Sequence, residues 1–259
     1  MLSKIAAALG VPVARGDYSG VPPNRPDQGA PANYAPFGAM DGSNLLGDDG
    51  APALFTAGEE FGTVSRGDPV VQEMDAEAQL AACLTEETWR LEITADPFAE
   101  QPHAAEAATL GTERTREGGN AIDLPALRAL AETEGVSLIK AMQCLNVEAP
   151  LGQGLWYGVP LSAVLRHFCS SVENVRRVDF WGYHNNDESQ RFSSSVSYTE
   201  AFEPSPGEPP VMLAFALNGG PVPLGRGGPV RMVVPHAHGF KSVKCERRLC
   251  LAASGVATA

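Results

Sequence analysis

Short runs of β-branched, aromatic and leucine residues, set apart by glycine and proline, constrain this chain more than anything else in it. VRRVDFWGY, VMLAFAL, VRMVV and KCERRLCLA all fall in its last third. They read as short strands between Gly- and Pro-rich turns. The 27 Gly and 21 Pro among 259 residues likewise suit a loop-rich, mostly β architecture better than a helical bundle. Upstream, TWRLEI alternates apolar Trp89, Leu91 and Ile93 with polar Arg90 and Glu92, a half-buried strand. VSLIKAM is a further strand, running directly into Gln143 and Cys144. Two helices are expected as well. DLPALRALAETEG carries Asp123 as N-cap, Pro125 in its first turn and Gly135 as its stop. GVPLSAVLRHF opens at Pro160 and places Leu161, Val164, Leu165 and Phe168 on one stripe, with His167 on the helix surface. The expected fold class is α+β: mixed, β-rich, with a few short helices.

The chain divides into an extended Pro/Gly-rich segment, 1–60, that wraps over a single domain, 61–259. Ordered structure is expected from about Glu87. The polar stretch from Asp96 to Asn120 reads as an exposed insertion, and the loop after Cys144 is marked by Pro150, Gly152 and Gly154. A net charge of −12 argues against a nucleic-acid partner. No apolar run approaches the ~20 residues of a membrane span. MLSKIAAALG is too weak for a secretory signal, so a cytoplasmic protein is expected, or a periplasmic one if a leader has been removed.

Charge is unevenly distributed. Between Arg226 and Arg248 stand six basic residues (Arg226, Arg231, Lys241, Lys244, Arg247, Arg248) against Glu246 alone, a net +5 that leaves −17 for the rest. A cationic patch in an acidic protein suits capture of an anion. Gly225, Gly227, Gly228 and Gly239 let main-chain N–H groups approach a phosphate, and Arg231 can fork onto its oxygens.

The five cysteines have no CxxC spacing, which argues against a zinc ribbon, a thioredoxin-type site or an attached haem. Cys144 stands where a strand gives way to a loop, a place from which a thiolate can face a cleft and hold a thiophilic metal. Two alternatives stay open on residue chemistry: a Cys/His pair of Cys144 with His184, His236 or His238, and a zinc site built on His236 and His238 of PHAHG.

MQC with WYGVPL, followed by NGGPVP, RGGPVR, MVVP and GFKSVK, resembles the molybdopterin-binding core of the sulfite oxidase family, clearly from Ser137 onward. Each piece alone is weak and the combination is specific. The resemblance implies a sulfite-oxidase-like molybdopterin-binding fold and a Mo-molybdopterin cofactor. It gives Cys144 as the metal ligand and catalytic residue. Arg231 and the run Ser242, Val243, Lys244 would hold the pterin and its phosphate, partly through main-chain atoms, and Arg226 would add a cationic contact. The activity implied is oxygen-atom transfer to or from a small sulfur-containing or related substrate, with an electron-transfer partner. FGTVSRGDPV, 61–70, matches the family's N-terminal element poorly and is assigned no pterin contact.

Departures are informative. Sulfite oxidases follow the cysteine with Ala-Gly-Asn-Arg, whereas Leu-Asn-Val-Glu follows Cys144. Relatives that reduce protein methionine sulfoxide carry Glu where this chain has Asn146, and Cys245 replaces a usual Trp. Neither a C-terminal dimerisation sandwich nor a haem domain is expected. Asn146, Glu148, Trp156, Tyr183 and His184 are candidates for the pocket rim. The rival reading is a non-catalytic paralogue that uses the same fold as a binding or cofactor-carrying module.

Overall fold

The structure is a computed structural model that describes residues 55–56, 61–62, 71–95, 106–144, 150–183, 192–204 and 207–253. Twelve strands are arranged mainly in two sheets. Their bounds are β1 Arg90–Ala95, β2 Thr109–Leu110, β3 Ile122–Asp123, β4 Val136–Met142, β5 Gly152–Pro160, β6 Val172–Glu173, β7 Arg177–Gly182, β8 Ser193–Ser197, β9 Met212–Leu217, β10 Gly220–Pro221, β11 Arg231–Val233 and β12 Glu246–Ala252. Helices are α1 Ala76–Ala81, α2 Leu124–Glu134, α3 Leu161–Cys169 and α4 Tyr198–Phe202. One sheet runs β3-β1-β12-β7-β8; the other runs β10-β9-β5-β4, with β11 on β9. Among the described residues only β1 and β12 pair in parallel; β2 and β6 make a separate ribbon. Among the described residues no helix is long and apolar enough to cross a membrane.

Local chemistry explains several boundaries. The Asp123 carboxylate accepts from the Ala126 N–H at 2.8 Å and caps α2, which ends at Gly135. In α4 the Ser197 hydroxyl and the Glu200 carboxylate cap each other's main chain reciprocally.

Two apolar clusters fix the sheets relative to each other. The larger contains Trp89 just before β1, Leu91 and Ile93 of β1, Phe180 of β7, Leu249 and Leu251 of β12, Leu124 and Leu127 of α2, and Leu161 and Leu165 of α3. Leu213 and Phe215 of β9 join it, while Met212 and Ala214 point the other way, into a smaller cluster with Trp156, Leu138, Met142, Val233 and Phe61. Strand β9 is therefore buried on both faces, which is why VMLAFAL is a continuous apolar run and does not alternate.

Three expectations need correction, and one strand was not anticipated. Ordered structure begins before Glu87, because α1, capped by Asp75 on the Ala78 N–H at 2.8 Å, precedes it. Gly152 and Gly154, expected in a loop, lie in β5 at the centre of its sheet, between β4 and β9. Glycine serves close packing here: a Cβ on Gly158 would lie 1.9 Å from the Leu213 carbonyl oxygen. Of the stretch expected as an exposed insertion, 106–120 is tied to the body through β2 and an Ile93–Arg114 bridge. Strand β8 was hidden by its serines, whose pairing with β7 supplies what their side chains do not. The segment 1–60 lies outside the described residues except at 55–56, where the Thr56 N–H donates to the Gln153 carbonyl at 2.8 Å.

Candidate cofactor site

Strand β4 ends at Met142, and Cys144 follows two residues later, half-buried. Its direction is set by neighbours. The Gln143 side-chain amide donates to the Cys144 carbonyl at 2.8 Å, and the Gln143 carbonyl accepts from the Gly239 N–H at 2.6 Å. A Cβ on Gly239 would stand 3.0 Å from the Cys144 Sγ. The thiol thus rests against main chain of the PHAHG turn, a contact that only glycine leaves room for.

Arg231 opens β11 and is 5% exposed. Its guanidinium lies over the Trp156 ring, 5.1 Å from the centroid, a cation–π placement. One terminal nitrogen donates to the Arg226 carbonyl at 2.6 Å and the other to the Ser242 carbonyl; among the described residues its buried Nε has no acceptor. Arg231 therefore clamps the turn at Leu224–Arg226 to the GFKSVK run. This differs from the simple fork onto a phosphate expected from sequence, because burial directs two of its donors to main chain.

Lys244 reaches the Gly225 carbonyl through Nζ at 2.9 Å. Gly227, at φ +98°, would place a Cβ 2.7 Å from the Lys244 Cβ, so glycine answers both a left-handed backbone and a close approach. Arg226 donates to the Gly62 carbonyl at 2.6 Å and sits 5.7 Å from the Phe61 ring centroid. The Ser242 hydroxyl accepts from the Val234 N–H at 3.1 Å, and Val243 is buried in the larger core. Neither of those two side chains points outward, so the contact expected of them is confined to main-chain atoms.

A fourth cation was not singled out from the sequence. Lys140 of β4 is 6% exposed and donates to the carbonyls of Pro235 at 3.0 Å and Ala237 at 2.8 Å. The available signal was a charged residue inside an otherwise apolar strand, between Ile139 and Ala141. Burial first, and the charge of Arg231 second, bring the Lys140 ammonium down to about 8. Burial first, with Arg231 and Arg226 also opposing the proton, brings Lys244 to about 8 as well. Arg231 falls to about 10 through burial, offset partly by Cys245 and Cys144. Arg226 is lowered by burial too.

Lys140, Arg226, Arg231 and Lys244 therefore form a cluster of cations whose charge burial opposes, with the half-buried Cys144 thiol near Arg231 and Lys244. A desolvated cation cluster is stabilised by an anion, and a soft thiolate donor is stabilised by a thiophilic metal. The buried, unpaired Nε of Arg231 and the glycine-lined approach to Cys144 fit a group that carries both.

Other candidates fare differently. Trp156 is fully buried in the smaller core, and Tyr183 packs with Ala82, Leu84 and Cys245, so neither stands on a rim. Burial on a central strand accounts for the first. Asn146, Glu148 and His184 lie outside the described residues. His167 is exposed on α3, edge-on to Phe168. His236 stands 4.0 Å from Glu208, and among the described residues no group of three or more His, Cys, Asp or Glu could hold a metal, so no third ligand joins His236 and His238 there.

Comparison with known proteins gives a consistent outcome. The model of a family described as "Oxidoreductase molybdopterin binding domain" matches residues 79–255. The catalytic subunit of a protein-methionine-sulfoxide reductase from Xanthomonas axonopodis is 29% identical over 52% of this chain and 41% of its own length. The mitochondrial sulfite oxidase of Drosophila melanogaster is 26% identical over 86% of this chain and 34% of its own length. The chain thus spans about a third to two-fifths of these relatives. Among solved structures, the sulfane dehydrogenase SoxCD from Paracoccus pantotrophus superimposes with a TM-score of 0.48 at 19% identity, over 66% of this chain and 40% of that one.

Proposed function

This chain belongs to the oxidoreductase molybdopterin-binding domain family, with Mo-molybdopterin as its cofactor, and on that premise we propose that it transfers an oxygen atom to or from a small sulfur-containing substrate. The observation that carries the site is the half-buried Cys144 thiol beside a cluster of desolvated cations. Two of its relatives, a protein-methionine-sulfoxide reductase subunit and a sulfite oxidase, carry names that describe sulfur substrates, which supports the substrate class. An electron-transfer partner completes the cycle.

When bound, the cofactor supplies two-electron oxygen-atom chemistry. The protein's part is to hold, orient and screen. Cys144 would hold the metal through its thiolate. Lys244 and Arg226 would offset the phosphate charge of the pterin. Arg231, clamped to the Arg226 and Ser242 carbonyls, keeps the two cationic loops together and would add its own charge to theirs. Trp156 shields one face of Arg231 from water, so the charge acts at low dielectric, where it is worth more than in solvent.

The test is elemental and pterin analysis of protein from a cofactor-competent host, together with Cys144→Ala. Stoichiometric molybdenum and pterin in the wild type, with pterin kept and turnover abolished in Cys144→Ala, is expected. Retained activity in that variant overturns the ligand assignment. Wild type without molybdenum or pterin points to the non-catalytic module.

A further inference from the structure

Lys140 stands four residues before Cys144 on β4, among buried Ile139, Ala141 and Met142. Nothing apolar about that position favours a lysine, and taking an ammonium out of water costs several kcal/mol unless its protons find acceptors. Among the described residues no carboxylate forms an ion pair with it. Its acceptors are two carbonyls of one turn, those of Pro235 and Ala237, at 3.0 and 2.8 Å.

That turn leads to the thiol. The Ala237 N–H donates to the Val234 carbonyl at 3.3 Å as the chain reverses, and the Gly239 N–H returns to the Gln143 carbonyl at 2.6 Å. The turn is therefore fastened at two places, to β4 by Lys140 and to Gln143, the residue that follows the strand. At the second, Gly239 backs the Cys144 sulfur, with 3.0 Å between Sγ and the position a Cβ would take. Without the ammonium, the two side-chain ties to the Pro235 and Ala237 carbonyls would be lost, leaving the Gly239 N–H to Gln143 carbonyl bond on its own side of the turn.

The geometry points to Lys140 as a positioning residue, which pins the 235–239 turn to β4 so that Gly239 sets the direction of the Cys144 thiol toward its metal. The assignment rests on the reading of Cys144 as the metal ligand; the fastening of the turn does not. The pKa of Lys140, lowered by burial first and by the Arg231 charge second, fits the same geometry, in which no carboxylate offsets that desolvation among the described residues.

The experiment is amide hydrogen exchange on the full-length chain, with peptide-resolved iodoacetamide labelling of Cys144, in protein purified without cofactor. In the wild type the Gly239 amide is expected to exchange about a hundredfold more slowly than a free chain. Lys140→Met should lower that protection about tenfold and speed labelling of Cys144 about threefold, with β7 and β12 amides unchanged. Lys140→Arg, which keeps charge and donors, should restore most of both. A folded Lys140→Met variant with wild-type protection at Gly239 and wild-type labelling overturns the role. Should that variant not fold, Lys140→Gln is measured in the same way, and an unprotected Gly239 amide in the wild type decides against the role without any variant. These outcomes are independent of molybdenum content, so failure here is distinct from failure of the cofactor reading.

Discussion

The Cys144 sulfur and Gly239 are so close that a methyl group added to the glycine would meet Sγ at 3.0 Å and the Gln143 carbonyl oxygen at 3.2 Å. One of them must move by a few tenths of an ångström. Gly239→Ala is expected to change stability by less than about 1.5 kcal/mol, while metal retention falls roughly 10- to 100-fold, as for other groups that orient a ligand. Molybdenum per chain after gel filtration is the measurement; unchanged content would show that the thiol tolerates the displacement.

Arg231 bridges two carbonyls with the two terminal nitrogens of one planar guanidinium, a fork that the single nitrogen of a lysine does not reproduce. Arg231→Lys loses at least one of its bonds to the Arg226 and Ser242 carbonyls and the planar face lying over Trp156. The expected cost is about 1–3 kcal/mol in denaturant unfolding. Pterin occupancy should fall with it, since the loops bearing Arg226 and Lys244 are no longer held in register. Wild-type unfolding and wild-type pterin content together would rule out the clamp.

The cation cluster predicts anion binding in the cofactor-free protein. Inorganic phosphate at matched ionic strength should stabilise the fold by about 1 kcal/mol, a shift of roughly 2–4 °C in the midpoint. Chloride should do much less. Lys244→Met, which removes the cation reaching Gly225, should lose most of the phosphate effect. An equal response to chloride and phosphate would mean that the cluster has no selectivity for the oxyanion.

Burial of Lys140 has a defined pH signature. Its folded pKa of about 8 lies below its ordinary value of 10.5, so between these limits the unfolded chain binds the proton that the folded chain has released. Stability therefore rises with pH across that window, and the burial cost is fully present below pH 8. Other buried groups titrate nearby: the Cys169 and Cys245 thiols, pushed up to about 11 and about 12 by burial, act in the opposite sense above pH 9. The difference between wild type and Lys140→Met isolates the lysine. It should change by about 1.4 kcal/mol per pH unit from pH 8 upward. A difference independent of pH would place the ammonium in water.

Local rules located most elements. The alternation of Trp89, Leu91 and Ile93 marked β1, and all three are fully buried. Asp123 and Gly135 bounded α2 as their capping chemistry requires. The runs around Cys144, Arg231 and Lys244 identified the family, and the charge count between Arg226 and Arg248 pointed to an anion. Strand β5 escaped because its glycines look like turn signals until β9 is placed against them. Strand β8 escaped because its stability comes from pairing with β7 rather than from its own serines.

What the sequence determined by itself, then, was the strands with apolar runs, the caps, and the presence of a thiol and a cationic segment, since each depends on residues within a few positions of one another. Only the tertiary structure decided how they meet. Lys140 finds the Ala237 carbonyl 97 residues away, and Arg231 turns two of its donors to main chain on loops either side of it. Those partners are chosen by sheet register and burial, and desolvation, which turns four scattered cations into one anion-seeking cluster, exists only once the sheets have packed.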